Sequence, residues 1–206
     1  MPKKPSNHRL RRRIAAETAR IIADEGVGDY QHAKQKACAR LGLTQVRDLP
    51  NNLEIEEALI ERQRLFATGV HTLFLRTLRE RALEVMAKLE RHDPHLVGSV
   101  LKGTANRYAP IQLHLFSDDV ESIAIELINR GIHYRAIDRR QTRQNPVGIP
   151  GFAFEWRGTT VEVLVFPVDG LRAAPPSPID GRPMQRANAA TVARLLIEPT
   201  DLPEKV

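Results

Sequence analysis

Cysteine is almost missing from this chain. Cys38 is the only one among 206 residues, which excludes an internal disulfide framework and fits a reducing compartment. Its helical neighbourhood marks Cys38 as a small residue at or near a core, not a nucleophile. Aromatic residues are sparse, at 5%, and none falls into an aromatic RNA-stacking signature. Long apolar runs are missing too: Glu162 and His114 break the most hydrophobic stretches, so no membrane-spanning segment is expected. After the basic start, Glu17, Arg20 and Asp24 interrupt what would have to be a signal-peptide core. The expected compartment is therefore the cytoplasm. Neither a zinc-finger spacing nor a Gly-x-x-x-x-Gly-Lys-Ser/Thr phosphate loop occurs, which leaves an ATP-dependent ligase without support.

The hydrophobic content of 42% is enough to bury a real core in a chain of this length. The net charge of +6 favours polyanionic partners without saying anything about fold. Its distribution is uneven. Lys3, Lys4, Arg9, Arg11, Arg12 and Arg13 all precede the first acid, and Arg135, Arg139, Arg140 and Arg143 form a second group. Either group suits phosphate contacts, although solvated basic tails are common.

The first half has helical periodicity. Leu10, Ile14, Ile21 and Ile22 recur on one stripe that Gly26 and Gly28 end. Tyr30, Ala33, Ala37 and Leu41 form a second stripe, ended by Gly42. Asn51 with Glu54 predicts a capping box ahead of Ile55, Ala58, Leu59 and Phe66, and Gly69 is expected to end that helix. The strongest stripe is Phe74, Leu75, Leu78, Ala82, Val85, Met86 and Leu89.

Beyond Pro94 the period changes to alternation. Strands are expected at His95–Val97, Ile111–Phe116, 132–137, 152–156 and 160–166. Asp118 with Glu121 predicts the cap of a helix carrying Val120, Ile123, Ala124, Leu127 and Ile128, and Gly131 its left-handed end. A mobile loop is expected over 141–150, a structureless proline-rich stretch over 173–183, and a final helix over Ala189–Ile197. The fold class is α+β, a helical N-terminal half followed by a small mixed sheet. The expected divisions are 1–69 (helical, with the basic leader), 70–170 (the α/β core) and 171–206 (the proline-rich segment and last helix).

The segment 96–116 carries the most chemical information. A short strand runs into Gly98-Ser99, whose missing Cβ and extra hydroxyl let a backbone turn approach a phosphate. Gly103 follows, then Thr104-Ala105, a polar loop and a second strand. This order resembles the polymerase-beta-like nucleotidyltransferase superfamily over roughly 74–168. It looks similar to small bacterial nucleotidyltransferase-like proteins with a helical leader and a Ser-Pro-Ile-Asp-Gly-Arg-Pro segment near the end, here Ser177 to Pro183. The resemblance implies a nucleotidyltransferase-like core that moves a nucleoside monophosphate from a triphosphate to a hydroxyl with two magnesium ions. It places the family's glycine and serine on Gly98 and Ser99, and a later glycine on Gly103. The two metal-binding aspartates fall on Pro110 and Gln112, and the third acidic position on Glu162.

That departure is severe, because magnesium is held chiefly by oxygen donors with carboxylates among them. Pro110 offers no ligand and Gln112 only a neutral carbonyl. The expectation is a degenerate active site with no metal assigned, in which Gly98, Ser99, Lys102, Gly103, Arg107 and Gln112 bind a nucleotide or phosphate. The chain then acts as a binding module for a nucleotide, a nucleic acid or a protein partner. The alternative is an active transferase whose magnesium or manganese site uses Gln112, His114 and Glu162, with His114 and Glu162 as its catalytic candidates. His114 shares a strand face with Gln112; at that strand end its ordinary role is a solvent or backbone contact, and that of Glu162 is an exposed strand residue. A nucleic acid held by Lys3, Lys4, Arg9, Arg11, Arg12 and Arg13 is a third reading.

Overall fold

A computed structural model describes residues 6–43, 48–66, 69–142 and 145–197. Helix α1 (Ser6–Glu25) buries Ile14, Ile21 and Ile22 of the expected stripe together with Ala15, Thr18 and Ala19, while Leu10 is half-buried. Helix α2 (Tyr30–Arg40) starts at Asp29, whose carboxylate accepts from the His32 amide at 2.6 Å. Helix α3 (Asn52–Phe66) opens with the expected capping box. Asn51 Oδ1 accepts from the Glu54 amide at 2.9 Å, and Glu54 Oε2 accepts from the Asn51 amide at 2.7 Å. Arg11 of α1 then donates to Glu54 at 2.7 Å, so one carboxylate both starts α3 and ties it to α1. These three helices enclose a hydrophobic cluster of their own, built on Ile14, Ile21, Ala33, Ala37, Ile55 and Leu59.

Helix α4 (Gly69–Lys88) begins the second cluster. Gly69 is helical, the first described residue of α4, which corrects the reading of Gly69 as a stop. Strand β1 (His95–Val97) runs into helix α5 (Gly98–Lys102), followed by β2 (Ile111–Phe116), helix α6 (Val120–Asn129), β3 (Tyr134–Thr142), β4 (Asn145–Trp156), β5 (Thr159–Phe166) and helix α7 (Ala189–Ile197). The sheet order is β1-β2-β5-β4-β3; β2 and β5 are parallel and every other pair is antiparallel. The fold is α+β with a mixed sheet. One sheet face presents Ile111, Leu113, Leu115, Phe152, Phe154, Val161, Val163 and Val165 to α4, α6 and α7. No described helix is long and apolar enough to cross a membrane.

Four local expectations change. Gly98-Ser99 is not a free turn but the first turn of α5; Gly98, with φ +72°, reverses the chain out of β1, and Gly103, with φ +81°, ends the helix. The stretch expected as a loop over 141–150 belongs to a long hairpin, with its described residues in β3 and β4. Pro150 pairs with Asp138 beyond the last β4–β5 partner, Gly151 with Leu164, so its missing N–H leaves no ladder bond to β5 unmade. The α6 cap is Asp119, not Asp118: Asp119 Oδ1 accepts from the Glu121 and Ser122 amides, while Asp118 accepts from the Val168 amide at 3.1 Å and fastens the exit of β5. The proline-rich stretch is ordered by a Pro176–Pro183 bridge and by turn bonds from Gly181 N to Ser177 O (2.9 Å) and Ser177 N to Arg182 O (2.7 Å).

Candidate functional site

The sheet face opposite the helices is where the candidate residues meet. Because side chains alternate along a strand, Gln112, His114 and Phe116 of β2 leave the core face and stand beside Glu162, Leu164 and Phe166 of parallel β5. The cross-strand row runs from Val97 through Gln112, Glu162 and Ala153 to Arg135. Gln112 Nε2 donates to Glu162 Oε2 at 3.2 Å, and Arg139 Nη2 donates to the same oxygen at 2.8 Å. Arg139 belongs to β3, four residues beyond Arg135, and its side chain is 49% exposed. Glu162 is correspondingly enclosed, at 21% exposure. The reading of Glu162 as an ordinary exposed strand residue is corrected: it is an ion-paired carboxylate at the centre of a polar row.

Gly98 stands directly over this row. A Cβ there would run into Gln112 Oε1, on a backbone that already has positive φ. Glycine is thus favoured here by its positive φ, and a Cβ would in addition push the Gln112 amide aside. Ser99, half-buried, follows on the first turn of α5. Gly98, Ser99, Gln112, Glu162 and Arg139 therefore form one neighbourhood, with Arg135 exposed further along the same row.

Lys102 and Arg107 are directed elsewhere. The Lys102 ammonium lies 3.8 Å from Glu56 of α3. Arg107 reaches the Asp24 carbonyl at 3.4 Å and lies over the Tyr108 ring. The loop after Gly103 serves as a clamp to the helical cluster: Asn106 Nδ2 donates to Ile22 O at 2.7 Å, and Tyr108 packs on Gly26 at the end of α1. Gly103 itself caps α5, with its carbonyl 3.4 Å from His71 Nε2.

His114 is 2% exposed. Its expected solvent or backbone partner is replaced by Arg186, whose Nε donates to His114 Nδ1 at 3.1 Å. Burial, then the positive charge of Arg186 and the nearby His95 and Arg139, holds the imidazole pKa down at about 3, so the ring is neutral. Arg186 lies across Phe116 and Phe166, 4.9 and 5.2 Å from their rings, and donates to the carbonyls of Gly170 (2.8 Å) and Leu171 (3.2 Å). It straps the segment ahead of α7 onto the sheet. No local pattern marks Arg186, because its partner His114 lies 72 residues away. Arg139 stands out in the sequence only as one of a basic group.

These donors do not suit a magnesium pair. Pro110 has no ligand atom, the Gln112 amide and Arg139 already engage Glu162, and His114 spends its Nδ1 lone pair on Arg186. Among the described residues, no group of three or more His, Cys, Asp or Glu side chains could hold a metal ion. Of the basic residues read as phosphate contacts, Lys3, Lys4, Arg143 and the side chain of Arg140 lie outside the described residues, as does the side chain of Phe66. Arg11 is committed to Glu54 and Asp48. Comparison of the chain with protein-family models, with curated proteins and with solved structures yields no match.

Proposed function

We propose that this chain is a nucleotidyltransferase-type scaffold that binds a phosphate-bearing ligand, in the first instance a mononucleotide, without carrying out metal-dependent nucleotidyl transfer. The observation that carries this reading is the Gln112–Glu162–Arg139 chain of contacts beside Gly98. A catalytic pair of carboxylates would repel each other and call for cations. Here an amide and a guanidinium take their place around a single acid, and the row is neutralised without metal.

The half-exposed Arg139 supplies the recognition chemistry. Its planar fork suits two phosphate oxygens at once. A phosphate arriving at the row exchanges with Glu162 for Arg139, while the Gln112 amide and the Ser99 hydroxyl remain as neutral donors. Arg135 extends the positive field along the strand row. The reading places the protein in the cytoplasm, which its lone cysteine suits.

The alternative, an active transferase using Gln112, His114 and Glu162, gains nothing from this geometry, because His114 is buried and already bonded. Calorimetric titration with a nucleoside triphosphate, alongside a labelled-transfer assay with manganese, tests both readings. The expected result is saturable binding with no transfer or hydrolysis. Arg139→Gln should weaken binding by roughly ten- to a hundredfold, the usual worth of a charge-assisted hydrogen bond. Absence of saturable binding would overturn the proposal, and transfer of label would favour the alternative.

A further inference from the structure

We propose that the exposed arginine stripe of α1, formed by Arg9, Arg12 and Arg13, is a docking surface for the phosphodiester backbone of a nucleic-acid duplex. It is separate from the nucleotide site on the sheet and does not depend on it.

The three residues sit at i, i+3 and i+4, so they share one helix face, and all three are exposed. Among the described residues none of them has a carboxylate partner. The contrast with their neighbours is sharp: Arg11 is bound by Glu54 and Asp48, and Arg20 by Glu17. Arg11 is thus neutralised across to α3 and Arg20 within α1, while the outward row of three has no carboxylate partner among the described residues. Along the helix axis the row covers ~6 Å, about the span of two to three successive phosphates on one strand at ~3.4 Å each.

A membrane surface is the obvious competitor for a basic helix. Surface-bound helices place an apolar face into the lipid, and α1 has none to give. Ile14, Ala15, Ala19, Ile21 and Ile22 are buried against α2 and α3 in their shared cluster. No Phe, Tyr or Trp occurs in α1, so a row of unpaired bases has no large stacking platform there. What remains is backbone recognition without base reading, which a duplex, with its denser phosphate charge, serves best.

The test is fluorescence anisotropy of the full chain with labelled DNA and RNA duplexes of arbitrary sequence, in a series of salt concentrations. The intact protein should bind in a sequence-independent way, with log affinity falling linearly against log salt. Replacing all three residues (R9Q, R12Q, R13Q) should reduce the slope by about 2–3, at roughly 0.9 per phosphate contact, and leave mononucleotide titration unchanged. A single Arg9→Glu variant separates binding from folding. An acid near the start of a helix complements its dipole, so this variant should keep or raise the thermal midpoint while weakening the duplex complex. Equal affinity and slope for the intact and triple-variant proteins would overturn the proposal. Tighter binding to phosphatidylserine vesicles than to either duplex would overturn it as well.

Discussion

Gly98 and His114 show how single residues set the character of the sheet face. Gly98 has φ +72°, and a Cβ there would displace the Gln112 amide. Gly98→Ala should therefore cost about 1–3 kcal/mol of stability, read as a lower urea midpoint. Shortening the neighbour as well, in Gly98→Ala with Gln112→Ala, should recover the steric part but not the backbone part. An unchanged midpoint in the single variant would mean that α5 does not approach the row as described. His114 makes a prediction about pH. Its folded pKa of about 3 lies below the ordinary value of 6.5, so the unfolded chain binds more protons between those limits. Stability contributed by the neutral ring is present above pH 6.5 and is lost as pH falls towards 3, at up to ~1.4 kcal/mol per pH unit. His114→Gln retains an acceptor for Arg186 but cannot titrate. Chemical unfolding at pH 6.5 and pH 5, above the ordinary carboxylate range, should show the smaller loss in the variant, and equal losses would contradict the assignment.

Elements were legible from sequence wherever their signals are local. The Asn51–Glu54 box is a contact across three residues, and both of its hydrogen bonds form. Asn51→Ala should lower stability by about 1 kcal/mol, visible in thermal unfolding. Glu54→Ala should cost more, because Arg11 loses one of its two carboxylate partners in the same step; equal costs would mean that the Arg11–Glu54 tie between α1 and α3 is worth nothing. Most of the α1 stripe, the strand Ile111–Phe116 and the start of α7 are readable for the same reason, as periodic patterns with clear breakers. Breakers also misled. Gly148 and Pro150 look like a loop, yet strand pairing of β4 with β3 alone accommodates them, opposite Arg140 and Asp138. Adjacent Asp118 and Asp119 are equivalent as letters, and only the exit of β5 claims the first of them. Contacts between distant elements left no trace at all. Arg79, buried in α4, donates to the carbonyls of Val100, Leu101 and Leu195 at 3.3 Å each and so joins the ends of α5 and α7, but nothing in its neighbourhood distinguishes it from an exposed helical arginine.

At the scale of the molecule, two hydrophobic clusters are joined by polar contacts. Asn106, Arg107, Lys102 and Asn52 each bond across from one cluster to the other. The loop after Gly103, from which Arg107 is expected to contact a phosphate, holds the helical half in place through Asn106 and Arg107. The sheet face away from the helices carries an amide–carboxylate–guanidinium row, Gln112–Glu162–Arg139, which is the site we propose for a phosphate-bearing ligand. This concentrates the functional question on one property, whether phosphate recognition needs a divalent ion. The direct measurement is calorimetric titration of the full chain with a nucleoside triphosphate, once in chelator and once in excess magnesium, on the intact protein and on Arg139→Gln. The account predicts saturable binding of the same affinity in both conditions, weakened by the substitution in both. Binding that appears only with magnesium, or that is indifferent to Arg139, would contradict it.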